Sequence, residues 1–141
     1  MTGRIDLRPD AAASGPIGQA SSGEPPTIVF SHANGFPAGT YRVLFEAWRS
    51  AGYRVVAVEK FGHDPRYPVS SNWPHLRDEL IDCIVNTAGA PSFLVGHSLG
   101  GRIAMRFAGK HPNRLAGLVI VDSAPELDVR GVEPILAAAL R

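Results

Sequence analysis

The chain has 141 residues, a length for one domain rather than two, and its 45% hydrophobic and 19% charged composition suits a globular chain with a core. Fourteen Lys and Arg against thirteen Asp and Glu leave a formal charge of +1, and the basic residues do not cluster, which argues against a surface for nucleic acid or anionic lipid. No apolar run approaches the ~18 residues of a membrane span, and Met1–Pro26 lacks an apolar stretch followed by a small-residue cleavage site, so the expected location is cytoplasmic.

Residues 1–26 are rich in Ala, Gly, Ser and Pro, with Ile5, Leu7 and Ile17 as the large apolar residues. Such a segment buries too little surface to offset its ordering entropy and is expected to be mostly disordered, with at most a short strand at Arg4–Leu7. From Thr27 to Arg141 the pattern changes to a single α/β domain. Thr27–Phe30 is a short strand, stopped by Ser31-His32-Ala33-Asn34-Gly35. Over Thr40–Ala51 the residues Tyr41, Leu44, Phe45 and Trp48 fall at helical spacing, and Gly52 supplies the stop. Tyr53–Val58 reads as a second strand, followed by a loop containing Gly62, Pro65 and Pro68.

Asn72 then caps a helix with Pro74 in its first turn and Trp73, Leu76, Leu80 and Ile84 along its buried stripe, ending near Gly89. Cys83 lies on that helix at an apolar position. As the single cysteine it can form no internal disulfide, and it reads as a small buried hydrophobe. Ser92–Val95 is the third strand and Leu99–Gly109 the third helix, broken by His111-Pro112. Leu115–Val121 is the fourth strand, and a last short helix runs from Val132 to Leu140. Strands that are apolar on both faces and separated by helices predict a parallel sheet with helices on both sides. Right-handed crossovers make the four strands parallel.

One stretch carries chemistry most directly: Phe93-Leu94-Val95-Gly96-His97-Ser98-Leu99-Gly100-Gly101, strand, tight turn, helix. A serine that acts as a nucleophile must project above the sheet edge from a turn so sharp that its backbone is strained. Glycines at 96 and 100 make room for the strand and helix to approach. The turn brings the Leu99 N–H and the positive end of the following helix to the place where an oxyanion would form. The plainer reading is a strand-to-helix turn with Ser98 as an N-cap. The loop Ser31-His32-Ala33-Asn34-Gly35-Phe36-Pro37, directly after the first strand, is placed to supply a second oxyanion N–H. Asn34 is the favoured donor and Phe36 the competitor, against a plain Asn-Gly turn.

On these residues the chain resembles the α/β-hydrolase superfamily, in its branch of esterase-, lipase- and C–C-hydrolase-like members. The resemblance runs from about Thr27 to Glu126 and matches the family's third strand through its sixth. It implies that the four strands lie in the order second, first, third, fourth. Glu59-Lys60-Phe61-Gly62-His63-Asp64 takes the place of the family's Gly-His-containing loop, and Val121-Asp122-Ser123-Ala124-Pro125-Glu126 that of the exit toward the cap. The implied fold is therefore a partial α/β-hydrolase fold, truncated after the sixth family strand, with the start of a cap at about residues 127–141.

The same resemblance exposes a gap. A serine hydroxyl needs a histidine base held by a carboxylate, and the family order is Ser, acid, His. After Ser98 the sequence offers His111, which the ~1.5 Å rise per helical residue puts on the order of 15–20 Å away at the opposite end of its helix. His32 and His63 lie on loops beyond strand C-termini, where sites of parallel sheets form, so a substitute constellation of Ser98, His63 and Asp122 is a minor alternative. Asp122 reads more readily as the residue with which the chain leaves its strand. The side chain of His97 should point away from the Ser98 hydroxyl, and His75 should face solvent.

The function implied is that of a serine hydrolase acting through Ser98 on a carboxylic ester or related acyl compound, with the N–H groups of Leu99 and Asn34 as oxyanion donors and a small-molecule acyl substrate as partner. Thioester, amide and C–C cleavage stay open. Epoxide hydrolases and dehalogenases of this fold carry Asp at the position of Ser98, so their chemistry is excluded. No cofactor is implied, and no metal, since the histidines and carboxylates show no ligand spacing. The chain as it stands is expected to be inactive. A rival reading makes it a truncated gene product or remnant with no enzymatic role. The uncharged edge Leu118-Val119-Ile120-Val121 is expected to promote self-association.

Overall fold

Four short apolar runs and one short charged N-terminal segment make the sheet. A computed structural model of the chain describes residues 4–10, 25–61, 63, 66, 74–87 and 91–123. Its strands are β1 (Arg4–Leu7), β2 (Thr27–Ser31), β3 (Arg54–Val58), β4 (Ser92–His97) and β5 (Leu115–Val121), and its helices are α1 (Arg42–Ser50), α2 (Pro74–Thr87) and α3 (Leu99–Lys110). The spatial order is β1-β3-β2-β4-β5. Strands β3, β2, β4 and β5 are mutually parallel, in the order the resemblance implies.

The sheet is nevertheless mixed. β1 adds an antiparallel edge to β3, with Arg4 opposite Val58 and Leu7 opposite Val55. The four strands from Thr27 onward are parallel as expected, and the short strand at Arg4–Leu7 joins them as an antiparallel edge held by side chains distant in sequence. The Arg54 guanidinium donates from Nε and Nη2 to the two carboxylate oxygens of Asp6, at 2.8 and 2.7 Å. This fork-on-carboxylate geometry is the strong form of an ion pair, and it holds the Asp6 carboxyl below its ordinary range, chiefly through the hydrogen bond from Arg54. Arg49 Nε donates to the Arg8 carbonyl at 2.7 Å and fastens the same segment to α1.

Period-two alternation sends each apolar run to two different cores. Val29, Val56, Val58 and Leu94 point to one face and pack against Leu80, Cys83 and Ile84 of α2 and Ile103, Ala104 and Phe107 of α3. Ile28, Phe30, Val55, Ala57 and Val95 point to the other, where Ala38 and Phe45 cover them, with Ile5, Leu7, Tyr41, Trp48 and Tyr53 around the margin. Hence helices do flank the sheet on both sides, and Cys83 is buried as expected.

Element boundaries shift where backbone geometry intervenes. The helix expected over Thr40–Ala51 divides into a 3₁₀ turn at Ala38–Tyr41 and α1, because Tyr41 has ψ 22° and interrupts the α-helical path. β4 continues past Val95 to His97, since the ladder with β5 extends to the pair His97–Val121. Expectations about the Asn72 cap, Trp73 and the helix from Val132 to Leu140 concern positions outside the described residues.

Candidate active site

Between β4 and α3 the chain reverses from strand to helix at a single residue. Ser98 has φ 53° and ψ −116°, a left-handed conformation that costs a non-glycine residue on the order of 1–3 kcal/mol and persists only where its surroundings impose it. Those surroundings are identifiable. A Cβ at Gly96 would lie 2.6 Å from the Gly101 Cα and 2.7 Å from the Gly100 carbonyl oxygen. At Gly100 it would lie 2.0 Å from the Ser31 carbonyl oxygen and 2.4 Å from that of His32. All of these are backbone atoms, so neither glycine tolerates a side chain without moving the turn or the β2 exit.

Hydrogen bonds complete the clamp. The Ser98 N–H donates to the Val121 carbonyl at 2.9 Å, and the Ser98 carbonyl accepts from the N–H groups of Gly101 and Arg102 at 2.9 and 3.2 Å. The hydroxyl, by contrast, makes no capping hydrogen bond to α3. The N-cap explanation of Ser98 therefore lacks its defining contact, although a serine in front of a helix ordinarily caps it. Leu99 opens α3, so its N–H is among the first-turn donors that an α-helix leaves without an internal partner.

The facing loop leaves β2 through His32, Ala33, Asn34 and Gly35. Gly35 has φ 78°, and the Phe36 N–H donates to the Ala33 carbonyl at 3.2 Å, closing a turn around Asn34 and Gly35. That bond engages the N–H of Phe36, the competing oxyanion donor. Asn34 is exposed at the tip of the turn.

His32 braces this loop from below. Its Nε2 accepts from the Phe61 N–H at 2.9 Å, and its Nδ1 lies 2.8 Å from the Ala33 carbonyl. A carbonyl can only accept and an amide N–H can only donate, so the ring is neutral with its proton on Nδ1. Burial pushes the imidazole below its usual pKa, with His63 and Lys60 adding repulsion. Both ring nitrogens being engaged, His32 has none left with which to deprotonate a serine. His63 is exposed and turns Nδ1 toward the Phe61 carbonyl at 3.1 Å. His97 is engaged by Tyr41, its Nδ1 2.8 Å from the Tyr41 hydroxyl. His75 is half-buried rather than turned to solvent, and His111 ends α3, its ring 5.3 Å from that of Phe107.

Asp122 follows the last rung of the ladder, so it and Ser98 leave adjacent strands at the same level. It too has a positive φ, 52°, and its side chain is exposed. Among the described residues no side chain is hydrogen-bonded to the Ser98 hydroxyl, and no group of three His, Cys, Asp or Glu could hold a metal ion. None of their helices is long and apolar enough to cross a membrane. The hydroxyl bridge from Tyr41 has no signal in the sequence, where Tyr41 reads as one more member of a buried stripe.

Four parallel strands in this order, with a positive-φ serine on the turn between β4 and α3, are the architecture of the α/β-hydrolases. The chain belongs to that class: residues 24–141 match the family model described as serine aminopeptidase, S33. It is 34% identical over 100 residues to epoxide hydrolase B of Mycobacterium tuberculosis, covering 67% of this chain and 28% of that protein. To human monoglyceride lipase it is 33% identical over 108 residues, covering 71% and 36%. Among solved structures it resembles a probable hydrolytic enzyme from Pseudomonas aeruginosa, with TM-score 0.70, 27% identity and coverage of 92% and 39%. A monoacylglycerol lipase from Paleococcus ferrophilus gives TM-score 0.65, 25% identity and coverage of 97% and 50%. The chain thus spans about a third of the length of the curated relatives it matches.

Proposed function

We propose that this chain carries the nucleophile and oxyanion portion of a cytoplasmic serine hydrolase acting on a carboxylic ester or a related small acyl substrate. Ser98 is the nucleophile, and the N–H groups of Leu99 and Asn34 are the oxyanion donors. The observation that carries this reading is the strained Ser98 backbone, held between two glycines with the hydroxyl not used as a cap.

The chemistry follows from that geometry. The hydroxyl oxygen attacks the acyl carbon, the carbonyl π pair moves onto oxygen, and the resulting anion meets backbone donors at the positive end of α3. Collapse expels the alcohol and leaves an acyl-serine ester, which water then hydrolyses. The first step needs a base for the serine proton. His32 is fully engaged and no described side chain bonds the hydroxyl, so the chain by itself should turn over poorly.

Serine also separates this site from epoxide opening, the activity named for one relative. A carboxylate nucleophile leaves an ester that water can cleave, whereas serine would leave an ether with no carbonyl to attack. The test is labelling by an alkyl fluorophosphonate, in which an Oγ–P bond forms, the P–F bond breaks and fluoride leaves with the hydroxyl proton going to solvent. Slow, stoichiometric labelling of the chain, abolished in Ser98→Ala, is expected. Labelling that persists in Ser98→Ala would overturn the assignment.

A further inference from the structure

We propose that Tyr41 is a positioning residue: its hydroxyl ties the oxyanion loop to the nucleophile turn and fixes the distance between them. The inference rests on the roles proposed for Ser98 and Asn34. The Tyr41 oxygen accepts from the Ala33 N–H at 3.3 Å and is hydrogen-bonded to His97 Nδ1 at 2.8 Å. Ala33 directly precedes Asn34, and His97 directly precedes Ser98. One hydroxyl thus holds both residues that lead into the proposed oxyanion donor and nucleophile, which leave the sheet from neighbouring strands β2 and β4.

The lever itself is stiff. The Tyr41 ring packs on Phe30 at a centroid distance of 4.4 Å and on Phe45 at 6.4 Å, and meets the His97 ring edge-on at 5.8 Å. Two side-chain torsions locked by these contacts leave the hydroxyl little freedom, so its position reports the core rather than solvent. On the loop side, the Ala33 carbonyl is gripped by His32 and by the Phe36 N–H. The Ala33 N–H is held by Tyr41. Oxyanion stabilisation depends on donors fixed relative to the attacked carbon, and a misplacement of about 1 Å can cost on the order of a hundredfold in rate.

The test uses the full chain with Tyr41→Phe, which keeps the ring packing and removes the bridge, and His97→Phe, which removes the other end. Amide hydrogen exchange at Ala33 should speed up about fivefold in both variants, the change a single lost hydrogen bond produces, while Val29 in β2 stays as in the parent. Acceleration at Ala33 caused by a change at His97 is a readout that mere loss of local packing at Tyr41 would not give. Fluorophosphonate labelling of Ser98 should lose about tenfold in its maximal rate in Tyr41→Phe, with half-saturation within about twofold of the parent. Unchanged exchange at Ala33 in either variant overturns the bridge. Faster exchange with undiminished labelling overturns its role in positioning. Should the parent itself resist labelling, the nucleophile assignment fails, and exchange at Ala33 still decides whether the bridge exists.

Discussion

On the α2–α3 side of the sheet Val29, Val56, Leu94, Ile103 and Phe107 have no solvent exposure, whereas on the α1 side Phe93, Val119 and Val121 remain 37%, 50% and 45% exposed. These three residues, with Ile28, Phe30, Val95, Trp48 and their neighbours, line an apolar groove of about 540 Å³. The same strand supplies both surroundings, for Ile120 of β5 packs into the closed core while Val119 and Val121 line the groove. A strand's hydrophobicity therefore records that a face suits burial, and does not record what covers it. Neither Ser98 nor Asn34 lines this groove. It is a sheet face, and the chemistry sits at the sheet's edge.

The sharpest way to break this contrast is to truncate one side chain on each face. Phe107→Ala empties a fully buried site and should cost about 3–5 kcal/mol, while Val119→Ser, half exposed, should stay within about 0.5 kcal/mol. Urea titrations of the two variants compare them directly, and equal losses would mean that the open face is covered in solution. A second pair contrasts crowded and open backbone. Gly100→Ala drives a methyl into the Ser31 and His32 carbonyls and should cost about 3 kcal/mol, the upper end for overpacking. Gly109→Ala meets nothing within 4 Å on the same helix and should gain about 0.5–1 kcal/mol. Thermal melts that rank these two in the opposite order would remove the steric account of the turn.

Association probes the β5 edge that borders the open face. The chain is expected to self-associate at micromolar concentration through β5, which carries no charge or proline and pairs only with β4 among the described residues. Light scattering on a sizing column should show Val119→Lys shifted toward monomer, and a monomeric parent would sink the idea. The smallest expected effect concerns the loop that His32 braces. Its folded pKa lies below the ordinary 6.5 because burial disfavours the imidazolium. The stabilisation is therefore complete above about pH 6.5 and is lost as pH falls through the folded value, where the folded ring must also charge. Denaturant midpoints should fall between pH 7 and pH 5, with a shallower fall in His32→Gln; identical slopes would remove His32 as the cause.

Much of this molecule is local and was therefore legible in one dimension. The alternation of Ile28, Val29 and Phe30, the helical spacing of Leu80, Cys83 and Ile84, and the glycines around Ser98 each express a constraint between residues a few positions apart. From these follow the strands, the helices and the strand–serine–helix turn, and the order of the parallel strands follows from the resemblance those residues carry. Tertiary structure decided what depends on residues far apart in the chain. Arg54 recruits Asp6 and turns an N-terminal run with little apolar content into an antiparallel edge. The carbonyl of Ser31 makes Gly100 obligatory, and the Phe61 amide takes from His32 the nitrogen a base would need. Tyr41, which any periodicity assigns to the core, reaches Ala33 and His97 only because β2 and β4 lie side by side. Local pattern determines which face a residue shows, whereas a polar atom's partner is set by which strands become neighbours.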